Sequence, residues 1–314
     1  MAKQSLPVSM DTQKEDTRKA KKIWATLISS MDYLPGLLVL EFSLRRVGSR
    51  YPFVALYTDD FPAEGRLALE QRNIATQRVE HLAPKHDKDY GDDPRFADSW
   101  IKLVVFSLVE YERIVLLDSD MLVVDNMDEL MDLPLDDPQK QGNRVFAAAY
   151  SCLCNPLHKE HYPDDWTPEN CPYTLQHDKP EDAQEHGASP PRQTMPNSGL
   201  VVLNPSASAA ELIRKGLLDP KTKTYIFPDQ ALLGDVFAGR WVALPYIYNG
   251  LKTLPWPGVH DAIWRDDRVK NIHYGLTPKP WEVEGRSDDD LVRRWQNADE
   301  ERKQDEAKRL GLGR

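Results

Sequence analysis

A chain of 314 residues, 29% charged and 40% hydrophobic, is long enough for one large α/β domain or two small ones and has the balance of a soluble globular enzyme. Its net charge of −10 excludes a nucleic-acid surface, which needs a basic face, so no nucleic-acid partner is expected. No apolar run approaches the ~20 residues that span a bilayer, residues 1–22 hold no apolar signal core, and three cysteines are too few for a secreted disulfide framework; these set the expectation of no membrane partner and a cytoplasmic location.

Residues 1–20 are charged, polar and without periodicity, and read as a disordered leader. From Ile23 strand and helix patterns alternate. Residues 23–28 predict a strand, 34–46 a helix, 53–57 a strand, 62–71 a helix with Pro62 in its first turn, and 77–82 a strand. A helix over 96–108 leads into a buried strand over 113–117. A short helix over 126–131 stops before Pro134, and 144–149 is another strand. Residues 150–196 form a long segment rich in Pro, His, Asp and Cys with little periodicity, as functional loops often are. Structure resumes with a strand at 199–204, helices at 207–218 and 228–237, and strands at 241–244 and 269–273. The tail, 286–314, is highly charged, with Leu291, Trp295 and Leu310 as its few apolar anchors, and reads as a solvated helix or partly disordered. The alternation predicts a mostly parallel central sheet with helices on both faces. No Gly-x-Gly-x-x-Gly follows the first strand, so a dinucleotide site of that type is not expected.

The strand over 113–117 ends on Asp118-Ser119-Asp120. In an extended chain residues i and i+2 point the same way, so two carboxylates converge at a strand's C-terminal edge, where α/β sheets place ligands. Hard oxygen donors suit Mg²⁺ or Mn²⁺. The triplet alone also fits a solvated acidic turn. A second string runs from His273 to Trp281: His273 ends a short apolar strand, Gly275 permits close backbone approach, and Lys279 is stiffened between Pro278 and Pro280. A histidine with two carboxylates suits Mn²⁺, and a nearby lysine suits a phosphate oxygen. Cys152, Cys154 and Cys171 with His158 or His161 could bind zinc, but three thiols in this setting read as unligated. His86, His177, His186 and His260 read as surface residues.

Taken in order, Asp118-Ser119-Asp120, Asn197-Ser198-Gly199, Asp229-Gln230 and the His273–Trp281 string resemble the family 8 retaining glycosyltransferases, of glycogenin and galactinol synthase type. The likeness runs from about Trp24 to Trp281. It is closest to the galactinol synthases through Tyr51-Pro-Phe-Val-Ala-Leu, Trp100-Ile-Lys-Leu, Asp125-Asn-Met-Asp-Glu-Leu, Cys152-Leu-Cys154 and Cys171-Pro. The resemblance implies a Rossmann-like GT-A catalytic domain over 21–285, in which 150–196 is an acceptor-side insertion or loop. It implies a UDP-sugar donor, Mn²⁺ (or Mg²⁺), and transfer with retention. Asp118, Asp120 and His273 match the family's metal ligands, Lys279 its diphosphate-contacting lysine, and Gly275 its nearby glycine. Thr26, Leu27 and Tyr33 match the uridine pocket, and Lys102 a basic residue near the donor's phosphates or sugar. Asn197, Ser198, Asp229 and Gln230 match residues facing donor sugar and acceptor, and Ser119 lies between the metal carboxylates. Three positions depart from the family pattern: Tyr150-Ser151 replaces a common Asp, Gly234 a common Asn, and Leu276 stands where the glycine after the metal histidine often falls.

The resemblance further implies a hexosyltransferase moving sugar from UDP-galactose or UDP-glucose to a polyol or saccharide acceptor, with a homodimer left open. No basic nucleophile stands out on the far side of the sugar, so attack on the same face as the leaving group is expected, with Asn197, Asp229 and Gln230 as the catalytic set. The alternatives are a nucleotide-sugar binding protein without turnover, a pyrophosphorylase, and a glycogenin-like self-glucosylating protein using Tyr162, Tyr173 or Tyr225. A pyrophosphorylase needs a Gly-rich basic phosphate loop near its start, which the stretch from Ile28 to Tyr33 lacks.

Overall fold

The computed structural model describes residues 20–309 apart from 87, 92–95, 141 and 193. The leader expected over 1–20 therefore lies outside the described residues except for Ala20, and so does Leu310. Strands are β1 (Lys22–Ile28), β2 (Phe53–Tyr57), β3 (Ala75–Arg78), β4 (Arg113–Leu117), β5 (Met121–Val123), β6 (Phe146–Ala148), β7 (Leu200–Leu203), β8 (Trp241–Ala243), β9 (Gly250–Leu251) and β10 (Asn271–His273). Helices are α1 (Leu34–Arg46), α2 (Ala63–Gln71), α3 (Asp182–Glu185), α4 (Ala207–Gly216), α5 (Pro228–Val236) and α6 (Asp290–Arg309). Among the described residues no helix is long and apolar enough to cross a membrane.

Seven strands form a sheet in the order β3-β2-β1-β4-β7-β6-β8. β3, β2, β1 and β4 run parallel, β6 and β8 pair parallel, and β7 lies antiparallel between β4 and β6. The expected mostly parallel α/β sheet is what forms. Both faces are covered, as a parallel sheet requires. Along β4, Ile114 and Leu116 join the core that includes α4 and α5, while Val115 and Leu117 join the core that includes α1. This is the period-two alternation of a strand buried on both sides. Arg113 opens β4 with its guanidinium satisfied by Asn204 Oδ1, Leu130 O and Leu133 O, each at 2.8 Å.

A second, three-stranded sheet has the order β5-β10-β9. Asp118, Ser119 and Asp120 are the crossing between β4 of the large sheet and β5 of the small one. β10 lies antiparallel to β5, with His273 opposite Met121. That register sets His273 beside the carboxylates.

Several predicted bounds shift for local reasons. The strand expected at 77–82 is Ala75–Arg78, because its partner β2 ends at Tyr57, opposite Arg78. The helix expected at 96–108 is a 3₁₀ helix over Ser99–Ser107. Its Trp-Ile-Lys-Leu-Val-Val-Phe run is rich in β-branched and aromatic residues, which lower α propensity, and six of its nine residues are buried, so packing sets the conformation. The short helix expected at 126–131 is likewise a 3₁₀ turn, Asp128–Asp132. β5 and β9 escaped sequence reading because three- and two-residue strands carry no periodic signal.

The tail is helical over Asp290–Arg309, and its inner face buries Leu291, Val292, Trp295, Ala298 and Arg302. Trp295 packs on Trp281 with ring centroids 5.5 Å apart, and Tyr274 Oη donates to Leu291 O at 2.6 Å. Arg45 and Arg46 of α1 pair with Asp305 and Glu301. The charged tail is thus a buttress for the 273–281 segment. Trp295→Ala should lower unfolding free energy by about 3–5 kcal/mol in urea denaturation, as for a buried aromatic; a change within about 0.5 kcal/mol would mark the helix as an appendage.

Candidate active site

The site begins at the seam between the two sheets. The Asp118 amide donates to Gly199 O at 2.8 Å and the Tyr274 amide to Asp120 O at 2.9 Å, so the crossing is pinned from both sheets. The ligand atoms of Asp118, Asp120 and His273 lie within 4.8 Å of one another. His273 Nε2 is 3.4 Å from Asp120 Oδ1 and 3.9 Å from Asp118 Oδ2. Its Nδ1 lies 2.8 Å from Asn249 Oδ1, and Asn249 Nδ2 in turn donates to Asn197 Oδ1 at 2.8 Å. Asn249 therefore accepts from Nδ1–H, which leaves the Nε2 lone pair facing the carboxylates. Gly199 makes room for the ring, since a Cβ there would come within 2.4 Å of His273 Cε1. Asp120 Oδ1 is buried without a hydrogen bond among the described residues. Such an orphan acceptor costs about 1–3 kcal/mol, and a cation would satisfy it. Two carboxylates and one imidazole make a donor set suited to Mn²⁺.

Two lysines hold this acidic seam together. Lys102 Nζ lies 3.0 Å from Asp118 Oδ1, 3.0 Å from Asp229 Oδ2 and 3.2 Å from Ser198 Oγ. Burial works against its charge, but Asp118 and Asp229 outweigh burial and raise its pKa. Lys279, only 2% exposed, pairs with Asp120 Oδ2 and donates to Tyr274 O at 2.9 Å. Burial pushes the Asp118 carboxyl above its ordinary range despite Lys102. Burial acts on Asp120 the same way, yet the Lys279 ammonium prevails and holds it well below. Lys252 donates to Leu276 O at 3.0 Å and Pro278 O at 2.9 Å, strapping the backbone ahead of Lys279. Burial, with Lys279 nearby, brings its pKa down to about 8.

The facing wall is the start of α5. Asp229 is 3% exposed and accepts from Ser198 Oγ at 2.5 Å, while Gln230 Oε1 accepts from the Ser198 amide at 3.1 Å. An acidic residue in a helix's first turn is also favoured by the macrodipole. Trp166 stacks on Phe227 with centroids 4.6 Å apart, and Tyr162 meets both edge-on.

These groups enclose one cavity of about 430 Å³. Leu27, Tyr33, Lys102, Asp118, Ser119, Asp120, Asn197, Ser198, Asp229, Gln230, His273, Gly275 and Lys279 all line it. Thr26 does not; it is fully buried, and its Oγ1 lies 3.1 Å from Ser119 Oγ, one step behind the wall. Ser151, which stands where the resemblance leads one to expect an Asp, is on the cavity wall. Sequence reasoning missed Asn249, Lys252, Trp166 and Phe227, and named Tyr162 only as an acceptor for self-transfer. Its one available signal was the Asn249-Gly250 pair opening a Gly- and Pro-rich stretch.

The histidine reading needs correction. His260 is not on the surface: it is 0% exposed, and it, rather than His158 or His161, is the imidazole against the three cysteines. His177 is part-buried with Nε2 2.9 Å from His260 Nδ1. Both lie on irregular segments, where no periodic pattern reveals an inward side chain.

The glycosyl transferase family 8 profile matches residues 25–285. The chain is similar to Galactinol synthase 2 of Arabidopsis thaliana, with 27% identity over 287 residues, 88% of this chain and 80% of that protein. It is similar to Galactinol synthase 2 of Solanum lycopersicum, with 28% identity over 266 residues, 83% of this chain and 72% of that one. Among solved structures, the WbbM bifunctional glycosyltransferase superposes with TM-score 0.58 at 19% identity, over 89% of this chain and 50% of the other. The galactosyltransferase LgtC, solved with donor and acceptor sugar analogs, superposes with TM-score 0.56 at 15% identity, over 89% of this chain and 96% of that one. At such identities the likeness speaks for the GT-A fold. The profile match spans most of the chain and covers the seam, the facing wall and the His273–Trp281 string: this protein belongs to glycosyl transferase family 8.

Proposed function

We propose that this glycosyltransferase is a metal-dependent, retaining hexosyltransferase of galactinol synthase type. It moves a hexosyl group from UDP-galactose or UDP-glucose to a hydroxyl of a polyol or saccharide acceptor, with residues 21–285 as one catalytic unit. One observation carries the reading: hard metal donors and two lysines converge on one side of a cavity whose other side holds amide, carboxylate and aromatic groups. A donor fits that polarity, with its diphosphate at the cationic seam and its sugar toward α5.

Asp118, Asp120 and His273 would hold Mn²⁺, which supplies charge neutralisation as the diphosphate departs. Lys279, paired with Asp120 here, would offset negative charge developing on the diphosphate. Lys252 fixes the backbone that carries it. Leu27 and Tyr33 receive the uridine, and Thr26 supports them through Ser119. Asn197 Oδ1 already accepts from Asn249 and from the Gly199 amide, so its NH₂ group is the donor that meets a sugar hydroxyl. Asp229 is engaged by Lys102 and Ser198. A carboxylate so paired is a poor nucleophile, which favours same-face attack with the departing phosphate taking the acceptor's proton. The aromatic group offers an apolar face to the C–H side of a sugar or polyol.

Tyr162 lines the cavity, whereas Tyr173 is 1% exposed and Tyr225 Oη is held by Asp235 at 2.5 Å. Self-glycosylation at Tyr162 is therefore the second reading. Intact mass after incubation with UDP-glucose decides it: an added hexose supports self-transfer, and an unchanged mass with UDP release on adding an acceptor supports the first reading.

Asp118→Asn and Asp120→Asn should each cut UDP-sugar turnover by about 10²–10³-fold or more with circular dichroism unchanged. Wild-type turnover by either at saturating Mn²⁺ would remove the metal assignment. The first product should carry the donor's α configuration, read from its anomeric proton by NMR in the first minutes; a β product refutes retention. Lys279 and His273 should fail differently. Lys279→Ala should weaken UDP binding by roughly 1.5–3 kcal/mol, about 10–100-fold, without raising the Mn²⁺ needed for half-maximal rate. His273→Ala should raise that Mn²⁺ requirement. Titrating UDP and Mn²⁺ against both variants is the test, and a wild-type Mn²⁺ profile for the His273 variant would make the string a structural turn.

A further inference from the structure

A second cluster of ligating side chains lies beside the cavity and takes no part in the proposed transfer. Cys152 and Cys154 come from the segment after β6, Cys171 from a later turn of residues 150–196, and His260 from the loop after β9. All three cysteines are free thiols. Their sulfurs surround one ring nitrogen: His260 Nε2 is 3.4 Å from Cys152 Sγ, 3.2 Å from Cys154 Sγ and 3.2 Å from Cys171 Sγ, and the Cys152 and Cys171 sulfurs are 3.9 Å apart. All four ligand atoms fall within 4.8 Å of one another.

Hydrogen bonding does not account for this arrangement. One imidazole nitrogen has either one proton or one lone pair, so it cannot serve three sulfurs together. A shared cation can. A tetrahedron with Zn–S about 2.3 Å and Zn–N about 2.0–2.1 Å sets its ligands roughly 3.8 Å apart for S···S and 3.5 Å for S···N. The Cys152–Cys171 separation of 3.9 Å and the Cys152–His260 separation of 3.4 Å lie close to those edges, and the 3.2 Å separations of Cys154 and Cys171 from His260 are slightly shorter. The surroundings match as well. His260 Nδ1 lies 2.9 Å from His177 Nε2, so a proton on Nδ1 donated to His177 leaves the Nε2 lone pair facing the thiols, the tautomer a metal-bound histidine needs. The Leu153 amide donates to Cys171 Sγ at 3.4 Å, a bond that stabilises a thiolate. Leu153, Tyr173, Leu254 and Ile263 belong to the same buried core cluster as Cys152 and Cys171, and Cys154 packs against it.

We propose that Cys152, Cys154, Cys171 and His260 bind a structural Zn²⁺ ion. With three thiolates and one imidazole, the coordination shell is closed and leaves no position for substrate. The ion joins three segments far apart in sequence where residues 150–196 have little regular structure. Because Cys152 and Asn155 line the cavity, it also fixes the wall that faces the acceptor. The proposal stands whether or not the donor and acceptor assignments hold.

The test is metal analysis of the full chain, produced in zinc-supplemented medium and dialysed against EDTA. About one zinc per chain should remain, and the zinc-edge X-ray absorption should fit three sulfurs and one nitrogen. Asp118→Asn and Asp120→Asn should keep that zinc, which separates this site from the catalytic seam. Cys154→Ser, at the most exposed ligand, should lose most of the zinc and lower the melting temperature. If that variant does not fold, wild-type protein produced with Co²⁺ supplies a second reading: thiolate-to-cobalt charge-transfer absorption is expected. Zinc-free folded protein with three titratable thiols, a Cys152–Cys171 disulfide seen by mass, zinc lost with the aspartates, or stoichiometric iron or copper in its place would each overturn the proposal.

Discussion

The structure turns on burying Asp118 and Asp120 at a seam between two sheets. Carboxylates leave water only when paired or ligating a metal, and here three of them, counting Asp229 from the facing wall, line one cavity. Lys102 bridges Asp118 and Asp229, and Lys279 sits on Asp120. Two ammonium groups against three carboxylates leave a deficit of positive charge. Asp118 keeps a raised pKa, chiefly through burial and despite Lys102. Such a deficit would favour a divalent cation at the seam. A seam fully neutralised by protein lysines would be more stable and would have no reason to bind one.

Much of the remaining architecture serves to keep those charges where they are. β4 delivers the carboxylates from the large sheet, and β5 and β10 return His273 to them in fixed register. Lys279 reaches Asp120 from a segment with no regular structure, so its position depends on neighbours. Lys252 holds that backbone by two carbonyls, and Trp281 is clamped between Tyr33, at 5.8 Å, and Trp295 of α6, at 5.5 Å. A helix made mostly of charged residues thereby reaches the segment that carries Lys279 through one pair of indoles. Segments held by a few such contacts open more readily than a core strand does, which suits a part that must let a nucleotide in and out.

The sequence made the seam legible because its signals are local. A strand apolar after its opening Arg113 and followed by Asp-Ser-Asp needs only the period of two to place both carboxylates together, and the order of the later strings pointed to the opposite wall. What stayed hidden depends on long-range register. Asn249 orients His273 only because β9 lies beside β10, and a two-residue strand has no pattern to read. Lys252 reads as an ordinary surface lysine until its two carbonyl partners are known. His260 sits in a Pro- and Gly-rich stretch whose composition predicts exposure, yet the turns there are wound around it. Composition describes the average residue of a loop and says little of the one residue around which the loop folds.

The cavity is flanked by two sets of metal-type ligands with opposite chemistry. The seam offers two carboxylates and one imidazole, hard to borderline donors with room left for substrate oxygens. The cysteine cluster offers three thiolates and one imidazole, soft donors that fill a tetrahedron. Ligand softness would separate the two sites, since three thiolates favour zinc over Mn²⁺ while the carboxylate-rich seam suits Mn²⁺. The difference also suits their tasks. A donor site must take up and release its nucleotide with each turnover, so a weakly held, open-shelled cation belongs there. Residues 150–196, proposed to face the acceptor, have little regular structure with which to fix their own shape. A closed thiolate site supplies the missing rigidity without adding area to the core, in the way small domains with insufficient cores are held by metals.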